Sequence, residues 1–378
     1  MSVPSGPIGL TFYSDAEYFG GAEGYMAVLA AHLDRERFRP SIILPDVPGV
    51  GVLEARMRAL DVEVHHLPRP GFRWRQFMPA ATTLFRQIGG DVLHINLPSS
   101  YDAGLSSVAL AARRAGYSRV VSTEHLPMID RKYRRFPVKL FFSRYIDSIV
   151  VNTRSNREFL VKRHRMPGSK ITVIDNGVEE APALSAAERK QVRASFGAGE
   201  ETVVIGIVGR LTRRKGHHFL LEALSQPEDE LPAWVLVVAG DGDEDSALRE
   251  LASRYGLSDR VHFLGHREDA TRLMYAFDCL ALPSTIETMP FAIIEGMAAG
   301  LPVVASAIFG IPELIEHEET GFLIQAGDVD ELRKRLLQLI RDPELRHRLG
   351  EAGRRRYEER FTAAIMTEKT SRVYLGDR

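Results

Sequence analysis

The chain has 378 residues, of which 44% are hydrophobic and 26% are charged. This is an ordinary globular composition, and the length predicts two domains that each bury a core. A single cysteine, Cys279, excludes an intrachain disulfide, and its neighbours in Asp-Cys-Leu-Ala-Leu predict a buried strand residue rather than a reactive thiol.

The formal net charge of −1 conceals an uneven distribution. Residues 1–180 carry 24 Lys and Arg against 18 Asp and Glu, whereas the remainder carries 25 against 32. The basic first half indicates an acidic or membrane-associated partner on that side. No apolar stretch approaches the ~20 residues that a membrane helix needs, and the first residues lack the features of a signal peptide. We therefore expect a cytoplasmic protein, with peripheral contact at the inner face of the membrane as a further expectation.

In the first half, strand-like and helix-like patterns alternate. The predicted strands are Ile8–Tyr13, Ser41–Leu44, Val62–Leu67, Asp91–Ile95, Arg119–Thr123, Ser148–Val151 and Ile171–Ile174. Helical patterns separate most of them, near residues 50–60, 77–88, 101–115 and 153–165. This alternation predicts a parallel, doubly wound α/β domain.

The loop after the first predicted strand ends in Gly20-Gly21-Ala22-Glu23 and leads into a helical stripe that begins at Tyr25. A strand, a glycine-rich turn and a helix together form an anion or sugar site at the carboxyl edge of a sheet. A tight strand–helix turn without a ligand would give the same pattern. Both interpretations stay open from these residues alone.

His125, in Ser-Thr-Glu-His-Leu-Pro, follows directly on a predicted strand. This position places it at the ligand-bearing edge of the sheet. A single histidine is more often a hydrogen-bonded structural residue than a catalytic one, so its position alone does not assign a role.

Residues 131–145, RKYRRFPVKLFFSRY, combine six basic residues with five aromatic ones. They could form a solvated helix face whose aromatic rings turn inward. Alternatively, they could meet an anionic lipid surface or a phosphate-bearing acceptor. Nucleic acid is not expected, because nothing in the chain resembles a nucleic-acid-binding module.

Residues 179–200 are predicted to be an interdomain linker with a short helix. A nearly continuous apolar strand, Thr202–Gly209, then ends in the loop Gly-Arg-Leu-Thr-Arg-Arg-Lys-Gly at residues 209–216. Its Arg210 and Lys215 are suited to a diphosphate, because a guanidinium grips phosphate oxygens and an ammonium adds a compact charge. A basic surface turn is the alternative.

Further strands are predicted at Trp234–Gly240, Val261–Gly265 and Asp278–Leu282, followed by the stretch 283–306. There Pro290 fixes φ near the first turn of a predicted helix, and Gly300 ends this helix. Glu287 precedes this helix and Glu295 lies within it. The five steps from Pro290 to Glu295 span roughly 7 Å, so the two acids could contact different parts of one extended ligand.

Glu287, seven residues, Glu295 and the following Gly-Met-Ala-Ala-Gly-Leu-Pro-Val-Val-Ala resemble the E-x7-E signature of retaining GT-B glycosyltransferases, specifically glycosyltransferase family 4, also called glycosyl transferases group 1. The Gly-Arg-Leu…Lys-Gly loop is similar to that family's diphosphate motif. The resemblance implies a GT-B fold, with two Rossmann-like doubly wound parallel-sheet domains facing an interdomain cleft. It implies an acceptor-binding domain at 1–178, a donor-binding domain at 179–357 and a last helix, about 358–378, that packs back on the first domain.

The resemblance also implies a role for each matching residue. The implied donor contacts are Glu295 to the ribose hydroxyls, Glu287 with Thr288 and Met289 to the donor sugar, Gly209, Arg210 and Lys215 to the diphosphate, and His266 with Arg267 beside the nucleobase. His125 would line the anomeric centre, and Gly20, Gly21 and Glu23 would lie on the acceptor side. Two positions depart from the family: Asn96 replaces the second histidine of the frequent His-x-His at His94, and Phe309 stands where glycine is common.

The implied reaction moves a hexosyl unit from a nucleotide diphosphate sugar to a hydroxyl of a glycan, glycolipid or small molecule, with retention at the anomeric carbon. A UDP-sugar is favoured over a GDP-sugar by its frequency in the family. No metal or other cofactor is expected, because Asp241-Gly-Asp243 belongs to a turn and paired cations can replace a metal. The alternatives are a non-catalytic nucleotide-sugar-binding or partner protein on the same fold, and a nucleotide-sugar epimerase.

Overall fold

The computed structural model describes residues 6–69, 74–99, 103–126, 140–141, 143–226 and 231–377. The chain divides into two compact units, each built on one parallel sheet. The first unit comprises Met1–Gly177 together with Ala363–Arg378, and the second comprises Val178–Thr362. The predicted class of two doubly wound α/β domains is confirmed.

The first unit contains a seven-stranded parallel sheet in its described part, with the order β3-β2-β1-β4-β5-β6-β7. Its strands are β1 (Ile8–Tyr13), β2 (Phe38–Leu44), β3 (Glu63–His66), β4 (Val92–Ser99), β5 (Arg119–Leu126), β6 (Ser148–Val151) and β7 (Ile171–Val173). Its helices are α1 (Gly21–His32), α2 (Gly51–Ala59), α3 (Trp74–Ile88), α4 (Ala103–Ala115), α5 (Arg154–His164) and, from the end of the chain, α14 (Ala363–Leu375).

The second unit contains a six-stranded parallel sheet among its described residues, with the order β10-β9-β8-β11-β12-β13. Its strands are β8 (Val203–Val208), β9 (Trp234–Ala239), β10 (Val261–Gly265), β11 (Cys279–Leu282), β12 (Val303–Ser306) and β13 (Gly321–Ile324). Its helices are α6 (Ala186–Ser195), α7 (His217–Ser225), α8 (Asp245–Arg254), α9 (Ala270–Leu273), α10 (Phe291–Ala298), α11 (Ile311–Leu314), α12 (Val329–Arg341) and α13 (Pro343–Arg360).

The core of the second unit lies on both faces of its sheet. Val204 and Ile205, which are adjacent in β8, belong to two different apolar clusters, because successive side chains of a strand point to opposite faces. One cluster includes Ile294 of α10, and the other includes Leu336 of α12. Cys279 is buried in β11, as its apolar neighbours predicted.

Helix α14 packs on the first unit, although it follows the whole second unit in sequence. Its Tyr374 is buried, and the Tyr374 hydroxyl lies 2.5 Å from Nδ1 of His94 in β4. The Nε of Arg119 donates to the carbonyl of Val373 at 2.6 Å. These contacts tie the last helix to the middle strands of the first sheet.

Several predicted boundaries differ from the structure; strand β2, for example, begins at Phe38 and not at Ser41. Strand β5 runs to Leu126, so His125 lies inside this strand and not after it. Pro290 is the N-cap of α10 and thus lies next to its first turn, as predicted. Helix α13 continues to Arg360, and the second unit ends at Thr362 because Phe361 is buried in its core.

No helix within the described ranges combines the length and the apolar character that crossing a membrane requires.

Candidate active site

The second sheet reverses its strand order between β8 and β11, which are neighbours in its middle. At such a reversal the connections leave in opposite directions and open a crevice at the carboxyl ends of the strands. The two loops that border this crevice are residues 209–216 and 283–290. The first of these loops contains Arg210 and Lys215, which were predicted to bind a diphosphate, and the second contains Glu287.

The backbones of these two loops pack directly against each other. The amide of Thr285 donates to the carbonyl of Arg214 at 2.7 Å. Gly216 has a φ of +75°, and a Cβ at this position would lie 1.9 Å from the carbonyl oxygen of Pro283. Only glycine satisfies both the left-handed conformation and this approach. The close packing fixes the position of the neighbouring Lys215.

Lys215 and Glu287 form an ion pair between the two loops. The Lys215 Nζ lies 2.5 Å from Glu287 Oε1, and only 16% and 13% of the two side chains are exposed. The hydroxyl of Ser284 donates to the same carboxylate oxygen at 3.4 Å. The structure therefore brings together a residue predicted to bind the diphosphate and one predicted to bind the sugar, although they are 72 positions apart in the chain.

Glu295 lies in α10 and is half-buried. Burial raises the pKa of Glu295 to about 7, and the nearby positive charge of Lys215 opposes this rise. One ammonium therefore acts on both predicted acids. Near neutral pH the Glu295 carboxyl exists in both protonation states, so it can accept or donate a hydrogen bond.

The remaining predicted donor residues have different surroundings. Arg210 is exposed in the loop that follows Gly209. His266 and Arg267 are exposed after β10, and Arg267 donates two hydrogen bonds of 2.7 Å to Asp269. Thr288 is buried. The side chain of Met289 packs in an apolar core cluster and so contributes to the core.

The first sheet has a similar reversal between β1 and β4. Gly20 caps α1 and Gly21 begins it at the carboxyl end of β1. Glu23 is buried there, and burial raises the pKa of its carboxyl. A Cβ on Gly20 would lie 3.3 Å from Glu23 Oε2, so glycine lets the carboxylate approach the loop closely.

His125 is buried in β5, and both of its ring nitrogens have side-chain partners. The Nε2 lies 2.8 Å from Asn96 Oδ1, and the Nδ1 lies 3.3 Å from Asn152 Nδ2. The ring packs edge-on against Tyr25, with ring centroids 5.0 Å apart. Burial lowers the pKa of His125 to about 3, so the imidazole is neutral at physiological pH.

The sequence did not identify Asn96 and Asn152 as site residues. Asn96 was noted only as a departure from the family's pattern, yet its Nδ2 also donates to the carbonyl of Ala22 at 3.0 Å. It therefore connects the glycine-rich loop to His125. Asn152 directly follows β6. A polar residue at the end of a predicted strand was the signal that singled out His125, and the same signal could have found Asn152.

His94 has a structural environment. Its two ring nitrogens lie 2.5 Å from the Tyr374 hydroxyl and 2.8 Å from the Thr123 hydroxyl. Burial lowers the pKa of His94 to about 3. His94 is therefore a buried residue of the first unit that contacts helix α14 through Tyr374.

Most of the basic aromatic stretch 131–145 lies outside the described residues. Of its described part, Leu140 and Phe141 are exposed. The guanidinium of Arg144 lies 3.9 Å from the ring centroid of Phe141. Within the part of the chain that the structure covers, no cluster of three or more His, Cys, Asp or Glu is arranged to hold a metal ion.

Replacement of Glu295 by Gln tests the buried carboxyl. Because the folded-state pKa lies above the ordinary value of 4.5, the protonated form stabilises the fold, and this contribution is lost as pH rises through about 7. We expect Glu295→Gln to match the wild type near pH 4, below the unfolded-state pKa, and to exceed its free energy of unfolding by about 3 kcal/mol near pH 8. Urea titrations of both proteins at the two pH values measure this difference.

The matched control is Glu319→Gln, which removes an exposed carboxylate. An equal effect of Glu295→Gln at both pH values would contradict the raised pKa.

Two family models match the chain. The model for Glycosyltransferase Family 4 matches residues 19–181, and the model for glycosyl transferases group 1 matches residues 188–356. Each match lies almost wholly within one of the two structural units.

Two curated relatives illustrate the similarity to single proteins. A GDP-mannose-dependent monoacylated alpha-(1-6)-phosphatidylinositol monomannoside mannosyltransferase of Corynebacterium glutamicum is 26% identical over 94% of each chain. The N-acetyl-alpha-D-glucosaminyl L-malate synthase of Bacillus anthracis is also 26% identical, over 61% of this chain and 60% of its own length. The latter match thus spans less than two thirds of that relative.

Among solved structures, Anabaena HepE in complex with UDP superimposes with a TM-score of 0.84. It is 22% identical, and the match covers 98% of this chain and 100% of HepE. This likeness shows the GT-B fold. Because the two family models together span most of the chain, the protein belongs to glycosyltransferase family 4, the glycosyl transferases group 1.

Proposed function

We propose that the protein transfers a hexosyl unit from a nucleotide diphosphate sugar to a hydroxyl group, with retention at the anomeric carbon and without a metal ion. The observation that carries this proposal is the position of Lys215 at the strand reversal of the second sheet, paired with Glu287 and acting on Glu295. One cation and two acids at this edge suit a ligand with both phosphates and hydroxyls.

Lys215 and Arg210 are the groups that we assign to the diphosphate. Negative charge grows on the leaving diphosphate as the glycosidic bond breaks, and fixed cations stabilise that charge. The Lys215 ammonium has three N–H donors, so its bond to Glu287 leaves donors for phosphate oxygens. Arg210 lies exposed in the same loop and can add a bidentate contact.

The two acids are assigned to hydroxyl groups. Carboxylates accept hydrogen bonds from sugar hydroxyls, and Glu287 is already oriented by Lys215 and Ser284. We assign Glu287 to the transferred sugar and Glu295 to the ribose. Residues 288 and 289 then contact the donor through the loop backbone, and His266 with Arg267 flank the base.

A UDP-sugar is the donor that we favour, and a GDP-sugar is the second choice. The support for UDP is that HepE, which shares the fold, binds UDP and UDP-glucose. The support for GDP is the GDP-mannose dependence of the Corynebacterium relative. The two relatives named above act on a lipid-linked and a small-molecule acceptor, so the acceptor stays open among glycans, lipid-linked sugars and small molecules.

The charges that this site supplies are compatible with a retaining reaction that uses no metal, and a front-face path is the mechanism that we propose. In a front-face path, a leaving phosphate oxygen takes the proton of the acceptor hydroxyl while the new bond forms on the same face. This path needs no enzyme nucleophile, and the neutral, hydrogen-bonded His125 does not supply a base. The paired cations neutralise the diphosphate in place of a metal.

A panel of UDP- and GDP-sugars tests the proposal directly. We expect one donor to raise the melting temperature and to be consumed with candidate acceptors, with the same rate in EDTA as in Mg²⁺. NMR of the product should show the anomeric configuration of the donor. Binding without any turnover would support a non-catalytic nucleotide-sugar-binding protein, and isomerised donor without acceptor would support an epimerase.

Substitution of Lys215 by Ala should lower kcat by about 10²–10³-fold, because it removes a fixed cation from the leaving group. Initial rates at saturating donor measure this effect. Arg213→Ala is the control, since it removes an exposed cation from the same loop and should leave kcat within about twofold. A near-normal kcat for Lys215→Ala would remove Lys215 from the mechanism.

We also propose that residues 131–145 contact an anionic membrane surface or a phosphate-bearing acceptor. The support is their six basic and five aromatic residues, and the lipid acceptor of the Corynebacterium relative. A variant with Ser at Arg131, Lys132, Arg134 and Arg135 should lose most of its cosedimentation with phosphatidylglycerol vesicles, because each basic residue near such a surface contributes about 1 kcal/mol. Unchanged vesicle binding and unchanged acceptor KM would end both interpretations.

A further inference from the structure

A row of side-chain hydrogen bonds crosses the first sheet at the carboxyl ends of its strands. Asn96 Nδ2 donates to the Ala22 carbonyl, and Asn96 Oδ1 faces His125 Nε2. Asn152 Nδ2 lies 3.3 Å from His125 Nδ1 and donates to Asn176 Oδ1 at 2.8 Å. Four of these groups are side chains that are at least nine-tenths buried, namely Asn96, His125, Asn152 and Asn176.

The backbone contact at one end of the row fixes the direction of the next bond. A carbonyl oxygen can only accept, so the Asn96 amide must turn its NH₂ group toward Ala22. Its Oδ1 then faces the imidazole and also can only accept. The Nε2 of His125 must therefore carry the proton, at 2.8 Å from Asn96 Oδ1.

The second ring nitrogen follows from the first. In a neutral imidazole protonated at Nε2, Nδ1 is an acceptor and requires a donor. The Asn152 NH₂ group has two hydrogens, of which one is directed to Asn176 and the other to His125. The Asn152 Oδ1 is buried and has no hydrogen-bond partner among the described residues. The amide hydrogens, and not the oxygen, are thus the part of Asn152 that this site uses.

We propose that Asn96 and Asn152 are positioning residues that hold His125 as the neutral Nε2–H tautomer, so that it serves glycosyl transfer as a fixed, uncharged group and neither gives nor takes a proton. This inference rests on the proposed function in placing His125 beside the donor sugar. The arrangement itself depends only on contacts within the first unit.

The other groups around the ring agree with a neutral state. Two titratable neighbours in the described part of the chain are Tyr25, which packs edge-on against the ring, and His94, whose pKa is lowered by burial and by the nearby His125. Burial raises the pKa of the Tyr25 hydroxyl, so this group is uncharged. Burial also lowers the pKa of His125 to about 3.

Replacement of Asn152 by Asp gives the sharpest test. A carboxylate has no hydrogen to offer Nδ1, so it favours protonation of this nitrogen and formation of an imidazolium. We expect the pKa of His125 to rise by about 2–3 pH units, to about 5–6 and into the range of the titration. Two-dimensional ¹⁵N NMR of the histidine rings, with His125→Gln and His94→Gln for assignment, measures the tautomer and the titration between about pH 4.5 and 8.

Asn176→Asp is the matched control. It keeps an acceptor oxygen toward Asn152 but places the new charge one side chain away from the ring. We expect a clearly smaller rise in the pKa of His125 than in Asn152→Asp. In the wild type, His125 should show a protonated Nε2 and an unprotonated Nδ1 over the whole range.

Activity gives a second measurement. With the donor identified above, kcat of Asn152→Asp should fall as pH drops below the raised pKa of His125, whereas kcat of the wild type shows no such step. A wild-type His125 that carries its proton on Nδ1, or that titrates near 6.5, would overturn the inference, and so would equal shifts in Asn152→Asp and Asn176→Asp. If Asn152→Asp does not fold, the wild-type tautomer still decides. The NMR result stands even if no sugar transfer is found, so the two proposals fail separately.

Discussion

The reversal of strand order in each parallel sheet is the constraint on which the candidate site residues of that unit depend. In the second unit it places the loops after β8 and β11 side by side, which are far apart in the chain. The Lys215–Glu287 ion pair forms across this junction, and Gly216 permits the close approach that carries it. The same arrangement in the first unit brings the loop after β1 next to β4 and Asn96. The strand order of each sheet thus determines which residues of that sheet lie close together.

The polar groups at the two strand-order reversals are stabilised in different ways. In the second unit the groups are charged, so a cation balances two acids, one of which has a pKa raised to about 7 by burial. In the first unit the groups are three asparagine amides and one neutral imidazole, joined in a row. The Lys215 ammonium has three N–H donors, so the charged site can bind phosphate oxygens in addition to Glu287. A neutral row keeps its geometry, because each amide has few alternative partners inside a buried site.

Sequence patterns predicted most of the fold, because parallel strands covered on both faces appear as short apolar runs such as β8 and β11. Sequence patterns also singled out Lys215, Glu287 and Glu295, through the resemblance to the family's motifs and, for Glu295, through a carboxylate among apolar residues of a predicted helix. Sequence patterns did not predict the ion pair, because its partners meet only through the strand order.

Asn96 and Asn152 were missed for a related reason. An asparagine side chain can both donate and accept, and only its neighbours in the structure show which end of the amide forms a hydrogen bond. Strand β5 extended past Thr123 because Glu124 pairs in register with Leu97 and Val151.

The placement of α14 in the first unit has a consequence for biosynthesis. The second unit is one continuous segment, Val178–Thr362, whereas the first needs residues from both sides of it. During translation the second unit is therefore complete before the first, which reverses the usual amino-to-carboxyl order of domain folding. Until Tyr374 emerges, the nascent chain leaves His94 and the surrounding apolar surface of the first sheet uncovered. A chaperone acting on this nascent protein would find its binding surface near the amino terminus, after the middle of the chain had already folded.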